Sequence, residues 1–201
     1  NLDFVNAFDK YYQDLCKSSS ANLLFLDQSG IKQITEDVFH KIISCKQTDF
    51  IFFISSSTIN RFAEHSSIQR YLNLSKEEIK RKPYYQIHKS VLDYYKSLIN
   101  IQEYYLAPFS IKKNANIYGL IFGSSHILGM EKFLRTAWKI DPDRGEANFD
   151  IDGENIKSDQ YNLFTGNIER SHKIELFEKE LKDKILKLEL TNNKQIYIYT
   201  I

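Results

Sequence analysis

The stretch "ANLLFLDQSGIKQIT", residues 21–35, decides the fold class. Leu23, Leu24, Phe25 and Leu26 run straight into Asp27, and Gln28, Ser29 and Gly30 then break the pattern. Strands of a parallel sheet read as continuous apolar runs, because helices cover both faces. A carboxylate at the exit of such a strand stands where open α/β sheets bind ligands. The signature returns in "DFIFFISS", residues 49–56. Between the two lies a helical pattern from Thr35 to Ile43, with Glu36 and Asp37 in the first turn, where the helix dipole favours acids. Strand, helix, strand is one βαβ unit.

On the N-terminal side, Leu2, Val5, Phe8, Tyr12 and Leu15 have the spacing of an amphipathic helix, which Ser18–Ser20 end. Downstream, "STINRFAEHSSIQRYL" is helical, "SKEEIKRK" reads as a short exposed helix with a Ser cap, and residues 84–99 form a long amphipathic helix. Strands over 104–111 and 116–123 flank the polar turn Lys112–Ala115, which makes an antiparallel hairpin. A helix over 128–139 follows, then the acidic "DPDRGEANFDIDGENIKSD", which reads as a solvated loop. Its spacing is not that of a calcium-binding loop. A charged amphipathic helix spans 173–188, and "QIYIYTI" ends the sequence as an expected strand. The chain is therefore expected to be α/β. Residues 1–140 form the core, 141–172 a polar loop or linker, and 173–201 a helix and strand, the start of a winged-helix-like segment.

Composition narrows the function. The 201 residues hold 27 basic and 26 acidic side chains, a net charge of +1, so any basic surface is local. No apolar run approaches the ~20 residues of a membrane helix. Cys16 and Cys45 form no C-x-x-C, and they are read as reduced thiols of a cytoplasmic protein. The five histidines form no metal-ligand pair with each other or with a cysteine.

Several stretches resemble the three-Cys-motif partner family: "FLDQSGIKQIT", "TDFIFFISSSTINRF", "FSIKKNANIYGLIFGSSHILGMEKFLRTAWK" and "GEANFDID". Together they cover most of residues 22–152. The resemblance implies a Rossmann-like class I methyltransferase fold, of which this chain looks like the latter half, with parallel strands and then an antiparallel hairpin. It implies S-adenosylmethionine as cofactor, and a three-cysteine-motif protein encoded nearby as partner. Two departures stand out. The glycine-rich donor loop expected earlier in the family has no counterpart in residues 1–21, which contain no glycine. Asp27-Gln28-Ser29-Gly30 stands where Asp-Pro-Tyr-Gly is expected.

Six residues are singled out. Asp27 contacts donor or substrate, or else caps the helix that follows. Asn60 and Arg61, just after the second strand, line the same cleft, or Arg61 pairs with Glu64 on a helix surface. Lys112 and Lys113 form a basic tip for nucleic-acid phosphates, or a solvated turn. His126 could reach a cleft. The expected function is methyl transfer to an acceptor the sequence does not name, with nucleic acid as a candidate. The alternative is a non-catalytic nucleic-acid- or protein-binding component on the same scaffold, in a mobile-element or defence locus.

Overall fold

A computed structural model describes residues 3–27, 34–66, 75, 77, 79, 82–100, 103–155, 161, 163–164, 166, 168 and 170–201. The chain divides into two compact units, Asn1–Met130 and Glu131–Ile201.

In the first unit the order is α1 (Phe4–Leu15), β1 (Asn22–Asp27), α2 (Glu36–Ser44), β2 (Thr48–Ser55), α3 (Ser56–Arg61), a 3₁₀ turn at Tyr84–Gln86, α4 (Ile87–Ser97), β3 (Tyr105–Lys113) and β4 (Asn116–Ser124). Asp3 caps α1 and Thr35 caps α2, each accepting from an amide three residues on. The four strands form one sheet in the order β1-β2-β4-β3. β1 and β2 are parallel, whereas β4 is antiparallel to both β2 and β3. The expected α/β class, with a parallel pair running into a hairpin, is what the chain adopts.

One face of the sheet carries the core. Phe50, Phe52 and Ile54 of β2 are buried with Phe39 and Ile42 of α2 and Val91 and Tyr95 of α4. Phe50 and Phe52 stack with ring centroids 4.1 Å apart, and the Phe39 and Tyr95 centroids lie 4.8 Å apart. The Tyr95 hydroxyl donates to the carbonyl of Ile34 at 3.0 Å, which ties α4 to the entry of α2. β4 contributes two glycines because large groups occupy their Cβ positions: His88 of α4 presses on Gly119, and the Phe50 ring on Gly123.

Three expectations are corrected here. Cys16 and Cys45 are not free thiols but a disulfide. The end of α1 and the end of α2 converge beside β1 and β2, with the two Cα atoms 4.5 Å apart. A separation of 29 residues hides that proximity, and the ground for a reducing, cytoplasmic setting goes with it. Lys112 and Lys113 are not in the turn. They are paired strand residues, opposite Ile117 and Asn116, and the turn is Asn114-Ala115, with Asn114 at φ 56°. Of the exposed helix expected over 75–82, only Ser75, Glu77, Ile79 and Lys82 are described, and Ile79 is fully buried.

The helix α5 (Ile127–Ile140) crosses the boundary between the units. The second unit continues with α6 (His172–Leu186) and α7 (Asn193–Thr200). The strand expected over 195–201 is thus a helix, so these residues do not start a winged-helix strand. Asn192 caps α7 by accepting from the Gln195 amide at 3.0 Å, and the Tyr199 ring stacks on Phe177 of α6. Alternating Ile and Tyr imitate a strand, but the half-buried positions are Ile196 and Tyr199, a helical spacing.

The acidic segment after α5 is not simply solvated. Arg144 is 3% exposed and makes ion pairs with Asp150 (3.2 Å), Asp152 (3.4 Å) and Glu154 (2.7 Å). Asp141 accepts from the amides of Asp143, Arg144, Glu146 and Ala147. Gly145 takes φ +66° with Trp138 packed where a Cβ would stand.

Candidate functional site

Strand direction fixes where the singled-out residues meet. β1 and β2 end at Asp27 and Ser55, and α3 starts at Ser56. The hairpin runs so that β3 ends, and β4 begins, at this same end of the sheet, since Ser55 pairs with Tyr118 and Lys113 with Asn116. Asp27, Asn60, Arg61, Lys112 and Lys113 therefore all lie at the carboxyl end of the parallel pair. His126 does not. It follows β4 at the opposite end, where its Nδ1 accepts from the Leu128 amide at 3.2 Å and caps α5.

The register also sorts these residues by face. Asp27 is level with Phe53, and Phe53 with Leu120. Paired residues share a face, so Asp27, Phe53 and Leu120 lie on the face opposite the main core. Tyr118 joins them, its ring stacked on Phe53 at 4.9 Å and 22°. Lys113 has the parity of Ile111, the partner of Tyr118, and is on this face too. Lys112 has the other parity and lies on the other face. Asp27 and Lys113 are exposed, while Phe53 and Tyr118 are half-buried.

Local structure builds this end tightly. The Ser55 hydroxyl accepts from the Thr58 amide at 3.2 Å and so caps α3. Ser57 Oγ accepts from the Ile117 amide at 2.9 Å and pins α3 to the start of β4. Ile59 is buried, which leaves Asn60 half-buried and Arg61 exposed on the last turn. Among the described residues, no hydrogen bond or ion pair joins Asp27 to Asn60 or Arg61. The structure thus brings the three to one end of the sheet without assembling them into a contact network. Phe53 and Tyr118 escape sequence reading because each is one aromatic in an apolar run; only the register reveals them as neighbours of Asp27.

The same face continues along β1, where Leu23 is 52% and Phe25 71% exposed. β1 is also a sheet edge. In the second unit, a shallow depression of about 540 Å³ is lined by Glu131, Arg135, Trp138, Lys139 and Tyr197 among others, with the Tyr197 hydroxyl donating to Glu131 at 2.5 Å. Among the described residues no cluster of His, Cys, Asp and Glu could hold a metal ion. None of their helices is long and apolar enough to cross a membrane.

The chain matches no protein-family model, no curated protein and no solved structure.

Proposed function

We propose that this chain is a methyltransferase-like α/β module that presents the acceptor side of a methyl-transfer site at the carboxyl end of its sheet. The observation that supports this reading is the sheet itself. A parallel pair runs into a hairpin whose returning strand, β4, inserts antiparallel beside β2. That plan is the one implied by the resemblance to the latter half of a class I methyltransferase. β1 adds support, because it has the sequence of an interior strand but the position of an edge, with Leu23 and Phe25 open to solvent. In the class I fold that the resemblance implies, the donor-binding strands lie on that side.

The described residues by themselves do not fit S-adenosylmethionine. Close approach of a backbone to such a cofactor needs glycine at a strand-to-helix turn. The glycines of β4 are instead filled by His88 and Phe50, and Gly129 packs on Ser124 and Asp49. Asp27, an acceptor-only group when ionised, holds and orients an N–H or O–H of the substrate, and Arg61 offers a cation at the same end. Orientation of this kind is what a direct transfer between bound partners requires.

The test is equilibrium binding of S-adenosylhomocysteine to the protein purified from its native source. Saturable binding is expected, and its absence at millimolar ligand refutes the reading. A second reading, a non-catalytic component that binds nucleic acid or protein, is favoured by Arg61, Lys112 and Lys113 at one end of the sheet. It predicts salt-dependent nucleic-acid binding without any affinity for S-adenosylhomocysteine.

A further inference from the structure

We infer that the depression between α5 and α7 in the second unit is a binding site for a small aromatic anion, a planar ring that carries a phosphate or a carboxylate. The inference does not rest on the methyl-transfer reading. It concerns other residues and another chemistry.

Helix spacing gathers the site. Glu131, Leu134, Arg135, Trp138 and Lys139 are related by steps of three and four residues and so share one face of α5. Tyr197 and the last turn of α7 close the other side. The hollow, of about 540 Å³, has the size of a small-ligand site. Trp138 supplies the surface for a ring. Gly145, at φ +66°, packs so closely on the indole that a Cβ there would lie 2.8 Å from Cε2 and from Nε1. A loop position that only glycine fits thus backs the indole. Trp138 is nevertheless 38% exposed, and it lines the hollow with half-buried Leu134 one turn before it.

Two exposed cations flank the ring. Arg135 lies one turn before Trp138, and Lys139 lies beside it. Arg135 Nε donates to one oxygen of Glu131 at 2.6 Å, and the Tyr197 hydroxyl donates to the other at 2.5 Å. This relay orients the guanidinium and leaves its two terminal nitrogens without a partner among the described residues. Among them Lys139 has no hydrogen bond or ion pair either. The one carboxylate of the hollow is therefore engaged by the protein, while both cations keep donors to spare. A ring on Trp138 with its charge on Arg135 and Lys139 uses all three. An apolar peptide would leave the cations unmatched, and an inorganic anion would leave the indole unused.

The experiment reads the emission of Trp138, the single tryptophan of the chain, so the reporter is the site itself. The probes are uridine 5′-monophosphate and phenylacetate, two sources of the same chemistry. Uridine and phenylacetamide lack the charge, and inorganic phosphate and acetate lack the ring. Saturable quenching at millimolar concentration is expected from at least one probe, and the tighter of the two assigns the source. Its counterparts without charge or without ring are expected to bind at least about fivefold more weakly. Arg135→Ala and Lys139→Ala, both at exposed positions, are each expected to weaken binding about fivefold, the worth of one exposed ion pair. Lys132→Ala removes a like charge from the same helix outside the hollow and is expected to leave affinity within about twofold, because exposed charges at a distance are screened. Trp138→Leu, followed by equilibrium dialysis of labelled probe, is expected to weaken binding about tenfold. No saturable quenching by either probe, binding of inorganic phosphate or acetate as tight as that of the better probe, or a loss in Lys132→Ala equal to that in Lys139→Ala overturns the inference. Neither probe is a methyl donor or an analogue of one, so failure here and failure to bind S-adenosylhomocysteine are separate results.

Discussion

Reduction of the Cys16–Cys45 bridge is expected to destabilise the first unit by about 3–4 kcal/mol. The bridge closes a loop of 29 residues, and the loss of unfolded-state loop entropy for that length is about 3.6 kcal/mol at 25 °C. What the bridge secures is α1. That helix buries Phe8 and packs Phe4, Tyr12 and Leu15 against the core. Otherwise it is held by a few polar contacts: the Tyr12 hydroxyl to Ser44 Oγ at 3.0 Å, Lys41 to Asp9 at 3.3 Å, and Asn22 Nδ2 to the Leu15 carbonyl at 2.8 Å. For a unit of this size the loss lowers Tm by roughly 10 °C. The assay is thermal unfolding followed by circular dichroism, with and without a phosphine reductant, beside Cys16→Ser at the exposed end of the bridge. The variant should melt where the reduced wild type melts and should not respond to reductant. Two titratable thiols in the untreated protein, or a Tm unmoved by reduction, would refute the reasoning.

Further expectations concern the core and the second unit. Gly123→Ala places a methyl against the buried Phe50 ring and is expected to cost about 1–3 kcal/mol by overpacking, read by chemical denaturation. Arg144→Met strands three carboxylates around an apolar chain. Because Asp150, Asp152 and Glu154 still reach solvent, the expected loss is about 2–3 kcal/mol, below that of a fully buried pair, and Trp138 emission reports it. Burial alone would raise the Asp150 carboxyl, but the amides of Asn155, Glu154 and Gly153 and the Arg144 guanidinium outweigh it and hold the group below the usual carboxylate range. A depressed folded-state value gives stability that is present above the unfolded-state pKa and is lost as pH falls through the folded one, so acid titration should loosen this segment only below about pH 4. Asn192→Ala removes the cap of α7 and should cost about 1 kcal/mol and some helical ellipticity, whereas a C-terminal strand would leave ellipticity unchanged.

The α/β class was legible because Leu23–Leu26 and Phe50–Ile54 are continuous apolar runs separated by a capped helix, and such runs have few other homes. The hairpin was legible from its polar turn, although two of the four expected turn residues belong to strands. Pairing order was not legible. That β4 sits between β2 and β3 depends on contacts far apart in sequence, and the same order places Phe53 and Tyr118 beside Asp27. The disulfide was hidden for the same reason. Residues 195–201 misled because alternation of Ile and Tyr satisfies a strand pattern, while the decisive feature was the cap at Asn192 and the Phe177 ring against Tyr199. Arg144 was hidden in a segment whose acidity suggests solvent, since one buried cation can gather several carboxylates around itself.

The most direct test of the account is equilibrium binding of S-adenosylhomocysteine to the natively purified protein, with Asp27→Ala in parallel. The account predicts saturable binding by the wild type and by the variant, because Asp27 serves the acceptor side. No binding by the wild type at millimolar ligand would contradict it.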